Sequence, residues 1–466
     1  MKHYTEIRKA LLDMAKKLKN NLLKKEILIP FMVSMVFYFG MYIAFGITTF
    51  ADSEGYINMD STREPVYPLF LALARLICPS HGIGFAVVIQ NLLMAIAVTL
   101  TSVKIKRIFK LKSFMIYVFL GFNFFVALMG QFLSLNACVY SSCILTEGIA
   151  LQMYLIFFCM LLDAVYSGGI IYEIGMAVLA ALMMDTRKHM AIVYIIMLAV
   201  LFFARIGKKK FWKSMIVSGV LVILSVALAM GGNKLYNFAL RGEFVKNTRD
   251  MNLIITTSLY VADREDAELI EDEVARNVFI EVFDVLDSKK ANIDYAGYSL
   301  DEIIEHYGSS FDVITIDTTL PMLEEDARSR GYTDDLEAEQ EADRVSKIIM
   351  SSIFMDNLGK YIKVYSASVY NGLVNTIAKR NGIFEAYALV AYIVYIALMI
   401  LELLSDATRK AGFFGFMVLV GIGVNVMVTA ALIFCQPRYM MYNMALFYIA
   451  GTVMLYSFIE HRFIKH

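Results

Sequence analysis

Two carboxylates, three arginines and several aromatic residues stand at the boundaries of apolar runs in this sequence, where together they could bind an anionic group and move a proton. The first cluster reads Ala51-Asp52-Ser53-Glu54-Gly55-Tyr56-Ile57, then Arg63-Glu64-Pro65-Val66-Tyr67-Pro68-Leu69. Asp52 lies just beyond the end of an apolar run, where a carboxylate is placed to serve as a general base. Pro65 and Pro68 fix the backbone and hold Arg63 and Tyr67 against the same surface. Glu147 opens another apolar run in Leu145-Thr146-Glu147-Gly148. A carboxylate so near hydrocarbon needs a partner or a cavity, or is a helix N-terminal acid favoured by the macrodipole. Arg187, Lys188 and His189 put three potential cations in a row between two short apolar segments, and Arg438 with Tyr439 opens the last apolar run after Gln436-Pro437. Each of these has a plainer reading, as a snorkelling loop or an interfacial anchor. Taken together, three arginines offer planar forks suited to bidentate contact with phosphate.

The elements that must position them are membrane spans. The chain has 466 residues, is 59% hydrophobic and only 18% charged, and its mean hydropathy is +0.61, which is too apolar for an ordinary soluble domain. A span needs about 20 mainly apolar residues to cross roughly 30 Å of hydrocarbon. Ten candidates meet or approach that length: Ile27 to Phe50, Gly84 to Val103, Ser113 to Leu133, Gly148 to Val165, Ile170 to Met184, Met190 to Ala204, Ser214 to Gly231, Ile383 to Leu404, Gly412 to Phe434 and Tyr439 to Ile459. The fifth and sixth are short. The expected fold is therefore an all-α polytopic membrane protein.

Residues 1–26 carry eight basic and three acidic residues, with Ile7, Leu11, Met14, Leu18 and Leu22 at helical spacing, a pattern that predicts an amphipathic helix on the cytoplasmic surface. The following span reads as a retained anchor. Alternation from there places Lys104, Lys106, Arg107, Lys110 and Lys112, then Arg205 with Lys208, Lys209, Lys210 and Lys213, then Arg409 with Lys410, then Arg462 with Lys465, all in the cytoplasm, as the positive-inside rule requires. The C-terminus falls on the same side. Five segments face outward: Ala51 to Ile83, Ser134 to Glu147, Asp185 to His189, an acidic insert, and Cys435 to Arg438. Every candidate site residue lies on or beside one of them.

Charge separates along the chain. Lysine plus arginine equals aspartate plus glutamate at 43 each, yet Asn233 to Asn357 holds 28 acidic and 12 basic residues, and the remainder is correspondingly basic. The expected division is a membrane module over 27–232 with its loop at 51–67, an acidic helical extracytoplasmic domain with an interfacial helix over 233–380, and C-terminal spans over 383–466. Within the insert, apolar periodicity predicts helices over Asp263 to Asp287 and Leu336 to Phe354, and Gly359 to Lys379 is too polar to span. A nucleic-acid binder would need a concentrated basic face. Five cysteines in 466 residues do not make a disulfide scaffold, and four of them, Cys78, Cys138, Cys143 and Cys435, near the outer face, read as apolar packing. No Walker A sequence, nucleophile elbow, His-Glu-x-x-His or Cys-x-x-Cys is present. Gly421 and Gly423 read as helix-packing positions.

These residues, in this order and on one side, resemble the GT-C membrane glycosyltransferases, in particular the bacterial branch similar to dolichyl-phosphate-mannose protein mannosyltransferases and lipid A aminoarabinose transferases. The resemblance runs through Asp52-Ser53-Glu54-Gly55-Tyr56, Arg63 to Leu73, Leu145-Thr146-Glu147, Asp185-Thr186-Arg187 and Arg438-Tyr439, and covers the whole membrane part in order. It implies a polyprenyl-phosphate-sugar donor, an acceptor that is a surface glycan, glycolipid or protein, and Asp52 as base. Glu54, Tyr56, Arg63, Tyr67, Glu147, Arg187, Lys188, His189, Arg438 and Tyr439 are the expected substrate-binding residues. Asp52 and Glu54 are the candidates for a divalent cation, a weak signal from two carboxylates. The chain departs from the pattern in its short first outer loop, in Lys188 after the middle arginine, and in an acidic domain inserted before the last three spans. Two other classes fit part of the pattern: a polymerase or ligase of lipid-linked glycans, and a flippase or transporter of them.

Overall fold

The computed structural model describes residues 25–133, 137–248 and 250–464. The amphipathic helix expected over 1–26 lies almost wholly outside them. Among the described residues the chain is all-α, with a single isolated parallel bridge, Thr48 to Cys143, as its only β pairing. Nine helices among the described residues are long and apolar enough to cross a membrane, so the chain is a multi-pass membrane protein. We label the helices in chain order: α1 Lys25–Phe45, α2 Ala51–Asn58, α3 Val66–Ile77, α4 Gly82–Ile108, α5 Met115–Phe132, α6 Glu147–Tyr166, α7 Ile170–Met184, α8 Ile192–Arg205, α9 Phe211–Arg241, α10 Asp250–Val261, α11 Glu273–Ser288, α12 Leu300–Ile314, α13 Leu320–Ser329, α14 Asp335–Ile353, α15 Leu358–Ile377, α16 Gly382–Leu404, α17 Arg409–Leu432, α18 Pro437–Met440 and α19 Met444–Ile459.

One end of the bundle is fastened by ion pairs between helix termini. Glu26 at the start of α1 meets Lys106 (2.7 Å) and Arg107 (2.9 Å) at the end of α4. Lys104 meets Asp163 near the end of α6 at 2.6 Å, Arg205 at the end of α8 meets Glu173 in α7, and Tyr166 Oη donates to the Lys410 carbonyl at 2.9 Å. The basic clusters that alternation groups on one side thus meet at one end. The termini α1-Phe45, α6-Glu147 and α7-Met184 point to the other end, where the candidate site lies.

Five expectations about the elements need correction. The first span stops at Phe45; the chain leaves it through Gly46 at φ 73°, and Thr48 then pairs with Cys143. The seventh does not end near Gly231: α9 runs on to Arg241, so the expected domain boundary falls inside a helix. The segment between α1 and α4 holds a twelve-residue apolar helix, α3, whose Leu69, Leu73, Leu76 and Ile77 are exposed; it is too short for a span window. The segment before α6 is not a surface loop, since every residue from Cys138 to Glu147 is buried. Irregular backbone inside a membrane protein must find internal partners, and two amides in the middle of α4 supply them. Gln90 donates to the Ser141 and Cys143 carbonyls (3.2 and 3.0 Å), and Asn91 to Ser141 O (3.1 Å). Finally, Asp263 to Asp287 is two pieces, a short turn over Arg264–Leu269 and then α11, because Asp272 accepts from Ala275 N at 2.9 Å and caps a new helix.

Packing follows the two cores. Phe119, Phe157, Phe158 and Phe414 are fully buried in the membrane core. A Cβ on Gly421 would stand 2.9 Å from Asn443 Oδ1 and 3.1 Å from Tyr154 Oη, so that glycine does permit close approach; one on Gly423 would meet nothing nearer than 3.7 Å. A second core unites α10 to α14, with Phe279, Tyr307, Val345 and Ile349 at its centre. Helix α15 joins the cores: Val364 and Ala367 belong to the insert core, and Val374 and Ile377 to the membrane core.

Candidate active site

Helix α2 is short because Met59 turns left-handed at φ 61°, and the chain then folds back over it, with Asp60 N donating to Gly55 O and Arg63 N to Asp60 O, both at 3.0 Å. This return lays the Arg63 guanidinium across α2, where Nη2 meets Asp52 Oδ1 at 3.0 Å and Cζ lies 4.7 Å from the centre of the Tyr56 ring. A Cβ on residue 55 would stand 2.7 Å from Arg63 Nε and 2.9 Å from Asp60 Oδ2, so a larger residue there would displace the guanidinium. Ser53 fastens α2 from below, donating to Ile144 O at 2.7 Å. Tyr56 packs edge-on against Tyr67 at 5.3 Å, and Tyr67, fully buried, donates to Gln90 Oε1 at 2.9 Å. Tyr67 therefore supports the loop from the core side.

The short helix α18 brings Arg438 to the same carboxylate, with Nη1 3.6 Å from Asp52 Oδ2. Its Nη2 donates to Tyr439 Oη at 2.9 Å and its Nε to Gln436 Oε1 at 3.1 Å. Arg187 approaches from between α7 and α8. It forms an ion pair with Glu147 Oε1 and sets its Cζ 4.3 Å from the Tyr439 ring centre, while Arg438 Cζ is 4.9 Å from it. Tyr439 thus touches two arginines at once. His189 completes this side, with Nε2 at 2.7 Å from Thr429 Oγ1 and its ring 5.8 Å from Tyr439. With Asp60 beside Arg63 as well, three arginines stand among three carboxylates.

The two carboxylates differ in access. The Asp52 side chain is 38% exposed and that of Glu147 only 4%. A buried charge without a partner is costly, so Glu147 and Arg187 need each other. Outside the spans, burial works against the Arg187 cation, yet Glu147 and Tyr439 hold it charged well above the ordinary range. Burial likewise pushes the Tyr56 phenol up, with Arg63 opposing.

Two expected residues do not join the cluster. Glu54 is exposed, and two residues along a helix from Asp52 it faces another way, so the pair cannot close on one cation; no group of three His, Cys, Asp or Glu side chains that could hold a metal forms among the described residues. Lys188 turns to Glu64, at 3.0 Å. Sequence reasoning missed Glu64 and Asn233, which are joined at 2.7 Å, and Gly55. Charge beside Arg63 was a signal for the first, and small size within Glu54-Gly55-Tyr56 for the last; Asn233, inside a long apolar helix, was the polar residue out of place. The five cysteines are unbridged.

Asp185 was also missed as a titrating group. It follows α7, its backbone carbonyl accepts from Val66 N at 2.9 Å, and burial, reinforced by the Glu64 charge, pushes its carboxyl from 3.8 up to about 7. The unfolded chain releases this proton near its ordinary value and the folded protein holds it to about 7, so rising pH destabilises the fold across that window. Asp185→Asn should therefore be the more stable protein at about pH 8, with its lead in thermal unfolding shrinking toward about pH 4. Parallel melting curves for the two proteins would show that Asp185 does not titrate as described. No protein-family model, no curated protein and no solved structure matches this chain.

Proposed function

We propose that the protein is a membrane glycosyltransferase of GT-C type, transferring a sugar from a polyprenyl-phosphate donor to an acceptor hydroxyl at the extracytoplasmic face. The observation that carries this reading is the convergence of Arg63, Arg187 and Arg438 around Asp52 and Glu147 at one end of the bundle. A transporter would favour ionisable groups and broken helices near the midplane; these groups sit at helix termini. Asp52 is the accessible carboxylate, and Glu147 fixes Arg187. In the free protein the Asp52 oxygens are engaged by Arg63 and Arg438. When the donor phosphate enters, its oxygens take over those guanidinium contacts and release Asp52 to act as base. The acceptor oxygen then attacks the anomeric carbon from the face opposite the phosphate. Its proton passes to Asp52, the sugar–phosphate bond breaks, and its electron pair leaves on polyprenyl monophosphate, which the arginines stabilise. One inversion results. The termini lie in the cytoplasm in this reading, and the acidic insert disfavours an anionic polymer as acceptor.

Mass spectrometry of lipids co-purified from the native membrane tests the donor. Wild type should carry a polyprenyl monophosphate with a hexose-sized or amino-sugar mass, and Arg438→Ala should lose most of it. A polyprenyl pyrophosphate oligosaccharide would replace this reading with a polymerase or ligase, and bulk phospholipid alone in both would overturn the donor assignment.

A further inference from the structure

The three arginines ride on separate segments of chain, and each segment is tied to the insert or to the helices that flank it. The ties to the first outer loop are the most specific. Arg241, at the end of α9, donates to Met59 O; Asn233 in the same helix donates to Glu64 Oε2 at 2.7 Å; and Ser61 Oγ donates to Glu339 Oε2 at 2.9 Å. Residues 59, 61 and 64 are thereby held on both sides of Arg63. The contact with Glu339 spans 278 residues of sequence and is the one made by the insert itself.

Glu339 is 6% exposed in α14, a helix whose other carboxylates include ones paired within the insert. Glu341, for instance, pairs with Arg330 and Arg344 at 2.6 and 2.8 Å. The same Glu339 Oε2 also accepts from Thr248, next to Asn247, whose N donates to Asn233 Oδ1 at 2.9 Å. A continuous polar path therefore runs from the insert through Glu339 to Ser61, and through Thr248, Asn247 and Asn233 to Glu64 and Lys188. At the opposite wall, Phe434 is seated against Tyr307 of α12 at 5.2 Å, and Asn371 of α15 donates to Cys435 O at 3.0 Å, three residues before Arg438.

We propose that Glu339 is a positioning residue for the arginine cluster: from within the insert it fixes Ser61, and through the tight return of residues 59–64 it fixes where the Arg63 guanidinium meets Asp52. The insert is then the frame of the site. As a donor site the cluster rests on the function proposed above, but the mechanical role does not.

Hydrogen exchange on the full chain in lipid nanodiscs separates the two. Glu339→Ala removes both hydroxyl contacts, and amides of residues 51–64 should exchange about tenfold faster or more, as loss of a hydrogen bond to a charged group implies, while α11 stays protected. Glu339→Gln retains an accepting oxygen and should exchange near the wild-type rate. Unchanged exchange at 51–64 in Glu339→Ala overturns the proposal. If α11 also loses protection, Ser61→Ala decides, with loosening of 51–64 over an intact insert supporting the role and its absence refuting it. In a transfer assay the alanine variants should lower kcat/KM about tenfold or more, since base and phosphate-binding arginine ride on the loosened loop, while Glu339→Gln stays near wild type. A loosened loop in a protein whose wild type transfers no sugar would leave the positioning role standing and remove the glycosyltransferase reading.

Discussion

Asp52→Asn should lower sugar transfer by about 10²- to 10⁴-fold, the contribution of a well-placed general base, while the protein keeps or gains bound donor lipid. The two effects separate because they have different origins. Asparagine is close in shape and keeps an accepting oxygen on Arg63, whose contact is 3.0 Å, while its amide nitrogen, a donor, faces Arg438 and gives up the longer 3.6 Å contact. It cannot accept the proton, and it removes a negative charge from between two guanidiniums, raising the local net charge by one. A phosphate entering this site meets less competition for both arginines. The expected signature is a collapse of kcat with donor KM unchanged or lower. Asp52→Glu should recover little, because the longer carboxylate moves the base relative to the acceptor. Transfer by Asp52→Asn within a few fold of wild type would move the base elsewhere. Glu54 is then a poor substitute, since it is exposed on another face of α2.

The spans and the list of charged residues at their ends were legible from the sequence because a membrane imposes length and hydropathy on every crossing helix. What joins those residues was not. Arg187 and Glu147 are 40 positions apart; the short turn at 167–169 makes α6 and α7 antiparallel neighbours, but which side chains meet is fixed only once the helices pack. The buried segment before α6 misled for a physical reason. Ser141, Ser142 and Cys143 look like a loop, and they are buried because Gln90 and Asn91 satisfy their backbone from inside an apolar helix. Two adjacent amides in the middle of α4 were the visible trace. Helix α3 escaped because twelve residues fall below any spanning window. In the insert, apolar periodicity passed through the break at Asp272, since periodicity reports faces and not caps. The orientation of Glu54 away from Asp52 followed only once α2 was known to be a helix: in a strand, residues two apart would have shared a face.

The buried pair Glu147–Arg187 yields the second large effect, and here fold and function can be pulled apart. Glu147→Leu or Arg187→Met alone leaves one buried charge unpaired, at a cost of about 3–5 kcal/mol. In a membrane protein of ordinary marginal stability this should remove most folded material, as read by size-exclusion and thermal unfolding in detergent. The double variant carries no buried charge, and two apolar side chains of similar volume should restore folding to near the wild-type midpoint. Tyr439 and Tyr442 supply apolar walls for the replacement, since both rings are buried there. Transfer should not return. The double variant lacks the guanidinium that would meet the leaving phosphate, and losing one such preorganised donor costs about 10²–10³ in rate. A double variant as unstable as the singles would mean that the pair contributes stability of its own beyond mutual neutralisation. A double variant that folds and transfers sugar at the wild-type rate would make Arg187 a purely structural partner of Glu147, and leave Arg63 and Arg438 as the groups that hold the phosphate.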